Sequence, residues 1–362
     1  MTFDFPRRVL GLQAEMHEVG VDVTILSVGA DLPYFIGYEA TPSERLTVLV
    51  VPRSGDPTLV VPQLEAPGIP EGQFDVCAWN ELDDPVQLAA DTVTRPNRVA
   101  VGDHMWSVFL TRFQKVWPNI EWKPASELTS RLRLIKDRDE IHLLRQAASA
   151  VDRVMERIPS DVRFGGRSEI AVARDLAELT VEEGHDRAEF TIVASGPNAA
   201  SPHHHPGTRV LVEGDVVVCD FGGRLGGYFS DSTRTFAVGP PSARAGEAHA
   251  LVSAANQIGR ETARPGLSCQ EVDRVVREVI VEAGYGRFFI HRTGHGIGLE
   301  VHEHPYIVEG NETTLSSGMA FSIEPGVYIP DELGVRIEDI VVCGEDGVES
   351  LNQSNRGLVT VA

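Results

Sequence analysis

Apolar residues recur along this chain with two periods, and the period changes about a third of the way in. In the first part, VDVTILSV (21–28), RLTVLVVP (45–52), TLVVP (58–62) and RVAVG (98–102) are short runs rich in β-branched residues. Each is bounded by Gly, Pro or charged positions, which predicts strands. Residues 7–19 and 85–94 instead space their apolar positions three and four apart, which predicts helices. Strands alternating with helices predict an α/β domain over residues 1–131.

Beyond it, KDRDEIHLLRQAASAVDRVMERI places Ile141, Leu144, Ala148, Val151 and Met155 on one helical face. Further helices are predicted from Ser168 to about 183, over 242–263, and from SCQE at 268–271, where Ser268 and Glu271 have capping-box spacing. Strand patterns lie between and after them: TIVASG, VVVCDFGG, YFSDSTRTFAVG, MAFSIEPG and GVRIEDIVV. Strands interrupted by helices, with hairpin signals, predict an α+β domain over residues 132–362.

Within that domain one design recurs. Gly214 precedes Asp220 by six residues in EGDVVVCDFGG, and Gly318 precedes Glu324 by six in SGMAFSIEPG. Each acid is expected to close an apolar strand. Each hairpin is then expected to carry a second acid on its return strand, Asp231 in FSDSTRT and Glu338 in GVRIEDIVV. Two such hairpins related by a pseudo-twofold would bring four carboxylates together.

Composition narrows the function classes. The 362 residues carry a formal net charge of -21 and no basic stripe, which argues against nucleic acid and against anionic membranes as partners. The start, MTFDFPRRVL, has an acid and no apolar core, so no signal peptide is expected, and no apolar run approaches a spanning helix. Cys77, Cys219, Cys269 and Cys343 are scattered, which predicts free thiols and a cytoplasmic protein.

Acids inside apolar strands require compensation, because a buried carboxylate is costly unless paired or metal-bound. Four converging carboxylates repel one another, and a pair of divalent cations offsets that charge directly. His295, in HRTGHGIGLEVHEHP, is the natural fifth ligand, with Gly294, Gly296 and Gly298 letting the backbone pass close to a crowded centre. Two other readings of this stretch fail. There is no H-E-x-x-H, and GHGIG lacks the strand-then-helix context of a dinucleotide site. One imidazole and four carboxylates form a hard-oxygen set, which favours manganese, cobalt or iron, with zinc admissible. The expectation is two ions roughly 3.5–4 Å apart that activate water and polarise a carbonyl.

These residues resemble the pita-bread metallopeptidases, a family that includes methionine aminopeptidase, aminopeptidase P and prolidase. The resemblance covers most of residues 136–345. VVVCDFGG with GYFSDSTRTF is similar to the family's paired aspartates, GHGIGLEVHE to its histidine motif, and SIEPG and VRIED to its two glutamate motifs. It implies Asp220, Asp231, His295, Glu324 and Glu338 as metal ligands. It implies His203 (in SPHHHP) and His302 as substrate-facing histidines, His291 as a pocket histidine and Arg336 as an active-site arginine. An equally open role for Arg336 is to neutralise the carboxylates. His204, His205 and His304 are expected in solvated loops.

The N-terminal domain resembles that of the proline-directed branch, where it borders the site and helps form homodimers. The implied activity is hydrolysis of the Xaa-Pro bond, in dipeptides as by a prolidase or in longer peptides as by aminopeptidase P. Glu324 or a nearby histidine would supply the proton for the leaving nitrogen. One position departs from the pattern, since HEHPY puts Tyr306 where many prolidases carry an arginine. Two further readings stand beside these: a metal-free, creatinase-like amidinohydrolase, which the retained ligand set disfavours, and a peptide-binding relative without turnover.

Overall fold

The computed structural model describes residues 3–362, in two compact units that divide between Arg133 and Leu134. The first unit runs α1 (Phe5–Val19), β1 (Val23–Ser27), α2 (Asp31–Ile36), β2 (Val48–Pro52), β3 (Thr58–Pro62), β4 (Asp75–Trp79), α3 (Pro85–Asp91), β5 (Arg98–Val101), α4 (Ser107–Val116), β6 (Glu121–Pro124) and α5 (Ser126–Leu134). Asp4 caps α1 through its side chain, and Gly20 ends it in the left-handed region. The strands form one mixed sheet in the order β4-β3-β2-β1-β5-β6. Val23, Ile25, Val48, Val50 and Val60 of the sheet bury one face against Val86, Phe109 and Phe113 of the helices.

The second unit follows with α6 (Arg138–Asp161), α7 (Glu169–Glu182), β7 (Arg187–Ser195), β8 (Val216–Leu225), β9 (Tyr228–Phe229), β10 (Ser232–Val238), α8 (Ala243–Thr262) and α9 (Cys269–Glu282). It ends with β11 (Gly294–Gly296), β12 (Glu303–Ile307), β13 (Ala320–Ile323), β14 (Gly326–Ile329), β15 (Leu333–Arg336), β16 (Asp339–Cys343), β17 (Val348–Ser350) and β18 (Val359–Val361). Capping boxes open α6 (Asp137 with Glu140) and α9 (Ser268 with Glu271).

The unit is built twice. Two helices precede a sheet in each half, with orders β18-β10-β8-β7 and β12-β11-β13-β16-β17. Even the loop hydrogen bonds repeat. Gly166 N–H donates to the Leu211 carbonyl and Leu211 N–H to that of Arg167, as Gly266 does to Leu315 and Leu315 to Leu267. Gly214 donates to the Val238 carbonyl and Gly318 to that of Cys343. Both glycines sit at φ near +90°, where a side chain would be strained, so the spacing noticed in the sequence marks the same turn in each half.

Burial then explains how acids enter the strands. Along β8, Val217, Cys219 and Phe221 face the core formed with Val151, Val154 and Leu176 of α6 and α7. The two-residue period puts Val216, Val218 and Asp220 on the opposite face. Along β13, Phe321 and Ile323 are core, so Ser322 and Glu324 point the other way.

Three expectations need correction. Asp220 does not close its strand: β8 continues to Leu225, because β7 pairs with it as far as Arg224. Asp231 and Glu338 do not lie on their return strands but each one residue before it, ahead of β10 and β16. The second hairpin is also interrupted by the β14–β15 ribbon. All four cysteines are free, and no helix among the described residues is long and apolar enough to cross a membrane.

Candidate functional site

The two halves meet at an isolated bridge between Thr233 and Glu338. Glu338 N–H donates to the Thr233 carbonyl at 3.1 Å, and Thr233 Oγ1 donates to Glu338 Oε2 at 2.6 Å. That junction holds Glu338 beside Asp231 and His295, so that one ligand atom from each lies within 4.8 Å of the others. Close backbone packing makes this possible. A Cβ on Gly294 would lie 1.8 Å from the Ser322 carbonyl oxygen, and one on Gly296 would lie 2.1 Å from that of His304. Gly294→Ala is therefore expected to cost about 3 kcal/mol of stability. A denaturant melt checks this, and an unchanged midpoint would contradict the packing.

His295 is fully enclosed, and its tautomer follows from its neighbours. Nδ1 faces the Gly296 carbonyl at 3.1 Å, so it carries the hydrogen. Nε2 then presents a lone pair, yet it lies 3.6 Å from Asp231 Oδ2, 3.4 Å from Glu324 Oε1 and 3.8 Å from Glu338 Oε1. Burial pushes the imidazole well below its ordinary pKa, which keeps it neutral. A neutral imidazole lone pair aimed at three carboxylates is unfavourable whenever they are ionised. Asp220 Oδ1, Asp231 Oδ1 and Glu338 Oε1 are buried without hydrogen-bond partners. A cation ligated by these atoms satisfies all of them, and the backbone carbonyl behind Nδ1 is the usual outer support of a metal-binding histidine. The donor set therefore fits divalent metal.

Charge repulsion points the same way. Burial first, and then neighbouring carboxylates, push Asp231 and Glu338 well above the ordinary range. Burial pushes Glu324 up to about 7, against the pull of Arg336. A group whose folded-state pKa is raised binds more protons when folded, so its contribution is lost as pH rises. His295 and His291 act oppositely, but only below about pH 6.5, where unfolded histidine protonates. Above that, the carboxylates act alone. The chelated protein is expected to melt at a lower temperature at pH 8 than at pH 6.5, with Mn2+ raising the midpoint more at pH 8. A midpoint that rises with pH in that window would contradict this.

Arg336 resolves the two roles left open for it. Its Nη2 donates to Asp220 Oδ2 at 2.6 Å, its Nη1 to Tyr328 Oη and the Pro202 carbonyl, and its Nε to Thr233 Oγ1. Most of its donors are engaged inside the protein, so neutralising Asp220 is its main structural work. Tyr328 Oη accepts from Arg336 and donates to His291 Nε2 at 2.8 Å, while His291 Nδ1 donates to the Arg292 carbonyl. Both ring nitrogens of His291 are thus occupied, which makes it a brace for Tyr328 more than a proton donor to a ligand. Burial drives its pKa down to about 3.

A cavity of about 800 Å³ opens over this centre. Asp220, Asp231, His295, Glu324 and Glu338 all line it, as do the exposed rings of His203 and His302. The His302 and His295 rings meet edge to face, with centroids 4.2 Å apart. His205 is exposed on the cavity rim, and His304 is exposed against Tyr306. His204 departs from the solvated loop expected for it. Its Nε2 lies 2.8 Å from Oε2 of the fully buried Glu169. Burial would raise the Glu169 pKa, but bonds from Ser195, His204 and Asn198 outweigh it. That carboxylate pins the SPHHHP loop that carries His203.

Sequence reasoning missed Glu169, Thr233, Tyr328 and Arg292. Glu169 resembles an ordinary first-turn acid. Thr233 and Arg292 lay inside quoted motifs, where their adjacency to ligands was the available signal.

Residues 142–345 match metallopeptidase family M24, and residues 8–135 match the creatinase/prolidase N-terminal domain. The chain is 42% identical to a probable dipeptidase PepE of Mycobacterium tuberculosis, over 99% of this chain and 96% of that protein. It is 36% identical to an Xaa-Pro dipeptidase of Lactobacillus helveticus, over 96% and 97%. Among solved structures, a recombinant prolidase from Thermococcus sibiricus superposes with a TM-score of 0.96 at 35% identity, covering 100% of both chains. The fold is the pita-bread fold with its preceding N-terminal domain.

Proposed function

The chain belongs to metallopeptidase family M24, and from that premise we propose that it is a dinuclear-metal peptidase that hydrolyses the Xaa-Pro bond of dipeptides. The observation that carries this reading is the His295 Nε2 lone pair set among three carboxylates. Asp220, Asp231, His295, Glu324 and Glu338 are the proposed ligands, and the hard-oxygen set favours Mn2+. When bound, two such ions polarise the scissile carbonyl and activate water at neutral pH.

The remaining work falls to the chain itself. The bond to proline has no N–H, and its nitrogen leaves as a secondary amine that must be protonated. Glu324 is assigned that proton, because its carboxyl lines the cavity at the candidate centre. His203 and His302 present exposed rings in the cavity wall and are assigned to donate hydrogen bonds to the substrate carbonyl as charge develops there. Arg336 holds Asp220, and Glu169 with His204 holds the loop that presents His203.

Free cysteines support a reducing, cytoplasmic setting. A homodimer is carried over from the resemblance, and light scattering of the purified protein checks it. One observation favours a second reading. Tyr306 stands where many prolidases carry an arginine, and a cavity of about 800 Å³ has room beyond a dipeptide, as an aminopeptidase on longer peptides requires. A length series with Mn2+, comparing Ala-Pro with Ala-Pro-Ala and longer peptides, separates the two. Chelation is expected to abolish Ala-Pro cleavage and Mn2+ to restore it. Undiminished cleavage after complete metal removal would overturn the metallopeptidase reading.

A further inference from the structure

One buried charge pair has no part in the chemistry described above. Lys136 Nζ lies 2.6 Å from Glu303 Oε1, and both side chains are enclosed. Gly298 packs on the pair, where a Cβ would lie 2.6 Å from Glu303 Oε1 and 3.1 Å from Lys136 Cε. Taking two charges out of water costs about as much as their attraction returns, so two apolar side chains would serve stability as well. What the ion pair adds is direction.

Its place in the fold shows what is directed. Gly296 and Glu303 face each other in the β11–β12 register, so residues 297–302 form the loop between them. His302 is the last residue of that loop and directly precedes Glu303. Its exposed ring meets that of His295 edge to face, a contact that does not fix the backbone carrying it. Glu303 does fix it, and its partner is itself anchored. Lys136 N–H donates to the Gly318 carbonyl at 2.9 Å, at the turn that enters β13. Four residues on, Glu140 Oε1 accepts from Tyr228 Oη at 2.9 Å, and the next residue, Phe229, donates its N–H to the Gly298 carbonyl at 2.9 Å. The entry to α6 thus grips the loop near both ends, at Gly298 through Tyr228 and Phe229 and at Glu303 through Lys136.

We propose that the buried Lys136–Glu303 pair sets the position of His302 for turnover. Lys136 and Glu303 are positioning residues that act through His302, and neither is among the residues lining the cavity. The inference deepens the Xaa-Pro peptidase reading and rests on it for the role of His302. A catalytic group misplaced by about 1 Å can cost about a hundredfold in rate, so a pair remote from the scissile bond still bears on kcat.

The test removes both charges together, Lys136→Met with Glu303→Met, in the full-length, Mn2+-loaded protein. Removing one alone would strand a buried charge and confound activity with folding. The double variant is expected to melt close to the wild type and to bind as much Mn2+. Its kcat on Ala-Pro should fall about tenfold to a hundredfold, with KM changed by less than about threefold. His302→Ala lowers kcat by itself, and in that background the same two substitutions should cost less than about twofold more. If the Met pair does not fold, Glu303→Asp, which keeps the charge and shortens the arm by one methylene, carries the same comparison. Undiminished kcat, losses that multiply across the two backgrounds, a fully active His302→Ala, or a loss of bound Mn2+ that matches the loss of kcat would overturn the proposal. A wild type that cleaves no Xaa-Pro peptide overturns the peptidase reading instead. Crystals of the Mn2+-loaded wild type and double variant then decide the inference alone. The His302 ring must shift against His295 by about 1 Å or more in the variant, and an unmoved ring overturns it.

Discussion

Asp231→Asn is expected to lower kcat/KM on Ala-Pro by about a thousandfold or more, equivalent to about 4 kcal/mol of transition-state stabilisation, in a chain that still folds. The side chain keeps its volume and loses its charge. Asp231 belongs to the group of three whose ligand atoms lie within 4.8 Å, and its Oδ1 has no other partner. Its loss should appear as reduced bound metal as well as reduced turnover. Stability should move the other way when metal is removed. Burial and Glu338 oppose the charge of Asp231, so the chelated variant should melt at or above the wild-type temperature at pH 8. Mn2+ should raise that midpoint less than in wild type. Full activity in Asp231→Asn, or a fold lost on substitution, would contradict the assignment.

Arg336→Met is expected to destabilise the chain by about 3–5 kcal/mol, the scale for breaking one side of a buried ion pair. The guanidinium is the cationic partner of Asp220 and also bonds Tyr328, Thr233 and Pro202. Its removal leaves a buried carboxylate without a partner and releases the Tyr328–His291 brace. Arg336→Lys should recover only part of the loss, because one ammonium does not reproduce a planar fork. Chemical denaturation of the chelated proteins separates this effect from metal binding. A wild-type midpoint in Arg336→Met would mean that the hub contributes little.

Much of this was legible in the sequence where one constraint acted alone. The apolar periods located α6 to α9, because each buries a single stripe, and the glycine-to-acid spacing located the turns that enter β8 and β13. Legibility failed where two constraints met. Asp220 read as a strand end because acids are rare inside strands. The structure keeps it mid-strand because Arg336, more than a hundred residues later in the chain, supplies the charge. His204 read as solvated because nothing local distinguishes it from its neighbours. Its partner, Glu169, lies on α7. In the first unit, α4 starts without a side-chain cap and β4 is an exposed edge strand, so neither carried a clear start signal or apolar period. Long-range pairing is what a local pattern omits, and it is what tunes this site.

The most direct measurement is anomalous diffraction at the manganese edge from crystals of the Mn2+-loaded protein. Two peaks roughly 3.5–4 Å apart, lying among the side chains of Asp220, Asp231, His295, Glu324 and Glu338, are the predicted result. No anomalous density there, or density bound to other residues, would contradict the dinuclear centre.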